Sequence, residues 1–212
     1  MTSQANPRRK LHPALKALVA IAVAALVGVL IVWTARDSRA EPYEIAAGQL
    51  SNWTLAVDTA DVNDTLVSLQ PAPELTMNLF RQLFSRQMES MASATELGVA
   101  LALDHEMPAG VTADEVLVLA REAGLDRATL VPKCVGYRRV AQRGSTRQLY
   151  FLWVDLPGFD RFRQALAART SGAVNAAGLS PVLMMAAEPG FAGWHPLLVD
   201  EARDCVAPVT VR

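Results

Sequence analysis

Cysteine and lysine are both scarce in this chain of 212 residues. Its two cysteines, Cys134 and Cys205, have no second ligand at the spacing that structural zinc sites use, so no metal centre is predicted. Only three of the 20 basic residues are lysines, a composition that is typical of GC-rich bacterial genomes when alanine is also abundant. Apolar residues make up 51% of the chain and charged residues 19%, which excludes a disordered protein.

The motifs that mark common active sites are also missing. The sequence contains no GxSxG nucleophile elbow, no HExxH zinc motif and no Gly-rich phosphate loop. Three ionisable residues stand together at 104–106, but neighbours on a strand or loop point in different directions and rarely hold one ion. The sequence therefore predicts no catalytic, cofactor-binding or metal-binding residues, and catalysis is not expected. An exported hydrolase or ligand-binding domain with a site that sequence does not reveal is the alternative.

Charge is divided unequally along the chain. Residues 1–40 contain six basic side chains and one acidic one, whereas residues 41–212 contain 14 basic and 20 acidic ones. An acidic domain is repelled by the phosphates of nucleic acids, so no nucleic-acid partner is predicted.

The N-terminal part contains a long apolar run. Residues 17–35 carry no charge and consist mainly of Ala, Val, Leu and Ile. A helix of this length approaches the roughly 30 Å of a bilayer core, so the run is predicted to be a transmembrane signal-anchor. Basic residues precede it, so residues 1–16 are predicted to stay in the cytoplasm. They are Arg8, Arg9, Lys10 and Lys16.

The remainder is then predicted to lie outside the inner (cytoplasmic) membrane, in the periplasm or beyond the cell. Cleavage of a signal peptide after Ala40 is the alternative, because Ser38 and Ala40 are small residues at the positions a signal peptidase inspects. Both alternatives export the domain. A lone cysteine pair in an oxidising compartment predicts a disulfide between Cys134 and Cys205.

Residues 36–51 are polar and are predicted to be a linker, followed by an exported domain over 52–212. Apolar periodicity and turn residues predict strands and helices in alternation, including a helix that begins with the capping box Thr112–Glu115. The fold class predicted is α+β, with a mostly antiparallel sheet and helices on one face.

Two element orders fit these elements. Residues 98–187 read as strand-helix-strand-strand-helix-strand, the order of ferredoxin-like domains. Residues 53–103 and 134–187 each read as ββαβ, which indicates a duplication. The tripeptide Phe-Arg-Gln occurs in both predicted helices, at 80–82 and 162–164.

Candidate contact residues lie in two places and along one helix. Four arginines surround a predicted hairpin turn, where they would bind an anion or a partner, or pair with nearby acids. Trp194, in an irregular tail, is a candidate partner contact. A stripe on the first domain helix would either bind a partner or face the core. The arginines are Arg138, Arg139, Arg143 and Arg147, and the stripe is Phe80, Phe84, Met88 and Met91.

Together these features predict a single-pass, membrane-anchored envelope protein. Its partners would be the membrane, through the N-terminal helix, and a protein or cell-wall component bound by the exported domain.

Overall fold

A computed structural model of the chain describes residues 13–57, 65–86, 90–93, 98–142, 144–191 and 197–212. It divides into two units, Met1–Arg39 and Ala40–Arg212.

The first unit is built around helix α1 (Pro13–Ala40). Its described side chains, at 17–32, are uncharged and exposed, and they include large aliphatic residues such as Leu18 and Ile21. In the part of the chain that the structure describes, no helix combines the length and the apolar character needed to cross a membrane. The transmembrane helix predicted over 17–35 is therefore not confirmed.

The second unit contains nine strands and four helices within its described residues, so the α+β class is confirmed. Helix α3 begins as the sequence predicts, because the Thr112 hydroxyl accepts from Glu115 N and the Glu115 carboxylate accepts from Thr112 N. The elements are β1 (Tyr43–Ile45), β2 (Thr54–Val57), β3 (Thr65–Gln70), α2 (Pro73–Arg86), β4 (Ala92–Ser93), β5 (Val99–Leu103), α3 (Ala113–Glu122), β6 (Val131–Gln142), β7 (Ser145–Asp155), α4 (Phe159–Arg169), β8 (Val182–Ala187), α5 (Glu201–Asp204) and β9 (Cys205–Val211).

The strands form one mixed sheet in the order β1-β9-β6-β7-β8-β5-β3-β2, and the short β4 pairs with β8. Every described pair is antiparallel except β1 with β9, so the mostly antiparallel sheet is confirmed. All residues of β5 and β8 are buried. Because successive side chains of a strand point to opposite faces, both faces are covered at the centre of the sheet. The prediction of helices on one face only does not account for this burial, because it would leave alternate residues of the central strands exposed.

The ferredoxin-like order is wrong for this sheet. That fold joins parallel strands through its helices, as a split βαβ unit. Here α4 joins β7 to β8, which are antiparallel neighbours. Helix α3 joins β5 to β6, which three antiparallel pairings also place in opposite directions.

The duplicated ββαβ order matches the sheet. The strands β2-β3-β5 and β6-β7-β8 are arranged as two halves that meet where Val99 pairs with Leu183. Outward from this pair, equivalent positions stay in register in both halves. A single apolar row therefore crosses six strands, with three strands on each side of the junction between β5 and β8. The row is Leu55, Leu69, Val99, Leu183, Leu152 and Val135.

The shared tripeptide is not part of this symmetry. Phe162 and Arg163 are fully buried in α4, whereas Phe80 is half-buried in α2 and Arg81 is exposed. The two tripeptides therefore lie in different phases of their helices, and only the topology supports the repeat.

The segment predicted to be a linker, 36–51, belongs in large part to the second unit. Strand β1 pairs with β9 inside it, and Tyr43, Ile45 and Leu50 are buried in the core. The Leu50 carbonyl also accepts a hydrogen bond from Leu130 N at 3.0 Å. The ordered domain thus begins near residue 40 and not at residue 52.

Candidate functional site

The described arginines around the β6–β7 turn each contact different partners. Arg138 points towards α5, where its guanidinium forms a bidentate ion pair with Asp204 and donates to the Leu198 carbonyl at 2.9 Å. Asp204 is only 2% exposed. Arg138 therefore connects the sheet to the C-terminal segment and is not directed at solvent.

Asp204 is held as a carboxylate by its surroundings. Burial by itself raises its pKa, but hydrogen bonds from Arg203 and Arg138 outweigh this effect, and the Asp200 N–H adds a third. The resulting pKa lies well below the usual range of an aspartate.

The remaining predicted contact residues do not join Arg138. Arg139 lies on the opposite strand face and its Nε donates to the Tyr137 hydroxyl at 2.9 Å. Arg147 donates to the Pro189 carbonyl at 3.0 Å and lies 3.8 Å from a Glu188 oxygen. The described arginines thus form no common anion site. Arg143 and Trp194 lie outside the described residues.

Cys134 and Cys205 form a disulfide, with their Cα atoms 5.7 Å apart. This bond joins β6 to the first residue of β9 across a sequence separation of 71 residues. The pairing expected from the sequence is therefore present in the structure.

The ionisable group at 104–106 has a structural role. Glu106 forms two 2.9 Å contacts with Arg163, which is fully buried. Arg163 also donates to the carbonyls of Asn175, at 2.7 Å, and Leu101, at 3.3 Å. Among the described residues, no three His, Cys, Asp or Glu side chains are grouped to hold a metal ion. Sequence reasoning missed Arg163, although a charged residue on the apolar face of a helix is a signal for a buried partner.

A cleft of about 590 Å³ opens at the end of the β6–β7 hairpin, next to the start of α4. Four separate stretches of chain contribute to it: Lys133 of β6, the end of β7 with the following turn and the start of α4 (153–161), residues 176–181, and Leu198. Its polar and apolar groups are intermixed. The charged lining residues are Lys133, Asp155, Asp160 and Arg161, and the exposed apolar surface includes Trp153, Pro157 and Leu198.

The chemistry of the cleft suits binding. The Lys133 ammonium lies 4.5 Å from the centre of the Trp153 ring, within the range of a cation–π contact. The Ser180 hydroxyl accepts from Val199 N at 3.0 Å, so it is already engaged. None of the described lining residues carries an imidazole or a thiol that would act as a base or nucleophile. Two cations and two carboxylates around apolar surface match a ligand that carries both charges and apolar groups.

The outward face of α2 is a second exposed feature. Phe84 is 62% exposed and Met77 is 45% exposed, and the rings of Phe80 and Phe84 lie 6.1 Å apart. Met91, predicted for the same stripe, is half-buried against the core, and Met88 lies outside the described residues. The stripe is thus divided between the core and the surface.

Comparisons with protein-family models, with curated proteins and with solved structures find no match for this chain. The cleft and the exposed face of α2 are therefore the two surfaces that bear on function.

Proposed function

We propose that this chain is a single-pass, membrane-anchored envelope protein whose exported domain binds a protein partner in the cleft beside Lys133 and Trp153. The observation that carries the proposal is the lining of that cleft, where both signs of charge surround apolar surface.

The lining favours a polypeptide over other ligand classes. Nucleic acids and other polyanions are disfavoured by Asp155 and Asp160, and a purely apolar ligand would displace water from these two carboxylates without replacing its hydrogen bonds. A protein segment supplies carboxylates, ammonium or guanidinium groups and apolar side chains together. Leu198, which is 60% exposed at the rim, provides apolar contact area of the kind found at the centre of interfaces.

The anchor is supported by the sequence. The uncharged run over 17–35 and the basic residues before it favour insertion with the domain outside. A disulfide between β6 and β9 fits a domain that works in an oxidising compartment.

Site-specific photo-cross-linking tests the binding proposal. A benzophenone amino acid is placed at Leu198 in the full-length protein in native membranes, and a matched control carries it at Val118, which is exposed on α3 away from the cleft. We expect a protein adduct at position 198 that is absent at position 118 and that Lys133→Glu reduces several-fold. An adduct that glycan hydrolases degrade would identify a cell-wall partner instead. Equal labelling at both positions, or labelling that ignores Lys133→Glu, would contradict a specific cleft.

A further inference from the structure

One wall of the cleft belongs to residues 197–205, which we call the rim segment. At the start of this segment the Leu197 carbonyl accepts from Ser180 N at 2.8 Å, and the Ser180 hydroxyl accepts from Val199 N at 3.0 Å. Leu198, between these two bonds, and Ser180 both line the cleft. The start of the rim segment is therefore attached directly to a second stretch of the cleft lining.

Arg138 of β6 provides another attachment of the rim segment. Its guanidinium donates to the Leu198 carbonyl at 2.9 Å and forms an ion pair with Asp204. Asp204 also accepts from Asp200 N at 2.8 Å. Arg138 thus joins the start of the rim segment to its end. The next residue, Cys205, is bonded covalently to β6. The position of Asp204, and through Arg138 that of Leu198, therefore depends on the disulfide.

The other cysteine lies beside a different part of the cleft. Cys134 directly follows Lys133 in β6 and pairs in register with Trp153 of β7. Lys133 and Trp153 line the cleft and contact each other through a cation–π interaction. The disulfide therefore connects the strand that carries Lys133 to the segment that carries Leu198.

The remaining contacts at the end of the rim segment are weak substitutes for this bond. Helix α5 has only four residues, far fewer than a helix needs to be stable by itself. The β6–β9 ladder is irregular between Val135 and Gly136, next to the position where Gly136 pairs with Cys205. Pro208, three residues further along β9, has no N–H to donate to the ladder. Loss of the disulfide would therefore release the end of the rim segment first.

We propose that oxidation completes the cleft, so that partner binding requires the disulfide between Cys134 and Cys205. This inference rests on the proposed function of the cleft. Arg138 and Asp204 are positioning residues, because they act on the partner only through Leu198. In the reduced domain, binding a partner must also order the rim segment, and this entropic cost lowers the affinity.

The oxidation proceeds by thiol–disulfide exchange. Cys134 is 6% exposed and Cys205 is half-buried, so the Cys205 thiolate reaches an external disulfide first. It attacks the disulfide of an oxidised thiol–disulfide exchange protein, forming a mixed disulfide and displacing the other sulfur of that protein as a thiolate. The Cys134 thiolate then attacks the Cys205 sulfur, and the exchange protein leaves as a dithiol. Two electrons and two protons thus pass from the cysteines to the exchange protein.

Cross-linking from two positions in the cleft tests the inference. In the full-length protein in native membranes, the benzophenone amino acid is placed at Leu198 or at Asp160, which lines the cleft at the start of α4. Each is combined with unchanged cysteines or with the double change Cys134→Ser and Cys205→Ser. We expect the double change to reduce the protein adduct roughly five-fold at both positions. Slow hydrogen exchange in β5 checks that the domain stays folded.

A second variant keeps the disulfide and removes only the contact with Leu198. Arg138→Met is expected to reduce both adducts by a similar factor. The matched control is Arg169→Met, which removes an exposed ion pair outside the cleft lining and should leave both adducts unchanged. Hydrogen exchange at the Val199 and Asp200 amides should be roughly ten-fold faster in Arg138→Met and in the double cysteine variant than in the wild type.

The outcomes separate this inference from the proposed function. Full adducts in the double cysteine variant or in Arg138→Met would overturn the inference and leave the proposed function standing. Equal acceleration of exchange in β5 and in the rim segment would assign the disulfide to general stability and overturn the inference as well. No adduct at either position with unchanged cysteines would overturn the proposed function itself, and the inference with it.

Discussion

At the scale of single residues, burying the charged side chain of Arg163 carries a free-energy cost for folding. Its side chain has no exposed surface, and its Nε has no hydrogen-bond partner among the described residues. Taking a guanidinium out of water is unfavourable unless a counterion and acceptors replace the lost hydration. Glu106 and two backbone carbonyls supply them. The pair therefore joins α4 to the end of β5 and leaves little tolerance for losing either partner.

We expect Glu106→Ala to reduce the free energy of unfolding by about 3–5 kcal/mol, because it leaves an unpaired charge in the core. Chemical denaturation measures the loss. The matched control is Arg169→Ala, which removes the exposed ion pair with Glu115 and is expected to have a much smaller effect. The double variant Glu106→Leu with Arg163→Met should recover most of the loss. If Glu106→Ala and Arg169→Ala have equal effects, the pair does not have the structural role assigned to it.

Asp204 gives the domain a defined pH dependence. Its pKa is lowered in the folded state, so the unfolded chain takes up a proton first as the pH falls below about 5. The stability that Asp204 contributes is thus fully present at neutral pH and is lost progressively as the pH falls towards the folded pKa. We expect the difference in unfolding free energy between the wild type and Asp204→Asn to be largest above pH 5 and to shrink below pH 4. The control is Asp155→Asn, which removes an exposed carboxylate at the end of β7 and should change the unfolding free energy much less than Asp204→Asn at neutral pH.

At the scale of elements, the C-terminal strand β9 connects the sheet to the start of the domain. In the described sheet β9 lies between β6 and β1, and the disulfide joins its first residue to β6. Strand β1 has only three residues and pairs with β9. Its ordering therefore depends on β9 together with the two hydrogen bonds that Glu44 exchanges with Gln82 of α2.

Loss of the disulfide is expected to affect β9 and β1 together. For a loop of this length, chain entropy assigns the bond roughly 4 kcal/mol, and Cys134→Ser should lower the melting temperature by about 10 °C. Cys205→Ser and the double variant should behave alike, since one bond is lost in each case. Hydrogen exchange should accelerate in β9 and β1 and remain slow in β5, which is the internal control. Two free thiols in the denatured, unreduced wild type would contradict the bond itself.

Elements with a strong local signal could be predicted from the sequence. The capping box of α3 and the long β6–β7 hairpin are examples, because their hydrogen bonds join residues close in the chain. Strand β1 was missed because its order comes from pairing with residues 209–211 and not from its own pattern. The cleft was missed for the same reason, since four distant stretches of chain form it. The cysteine pair was predicted because only one pairing exists for two cysteines.

At the scale of the whole molecule, α2 and α4 have equivalent places in the predicted ββαβ repeat but differ in what they contact. Helix α4 places Arg163 in the core at a position where α2 has the half-buried Phe80, if the buried residues of both helices are aligned. Helix α2 instead carries the exposed Phe84, and the cleft lies beside α4. The domain thus carries two different surfaces, the cleft beside α4 and the exposed Met77 and Phe84 of α2.

The proposed anchor determines on which side of a membrane these surfaces would lie. The basic residues precede the apolar run over 17–35, so the domain is expected outside the cytoplasm. Alkaline phosphatase fused after residue 60 should therefore be active, and a fusion at residue 12 should be inactive. Carbonate washing should leave the full-length protein with the membranes, because a bilayer-spanning helix resists extraction at high pH. Recovery of a soluble form that begins at Glu41 would show that the apolar run is cleaved. The proposed export and the proposed binding at the cleft would both survive that result, because neither requires the domain to stay attached to the membrane.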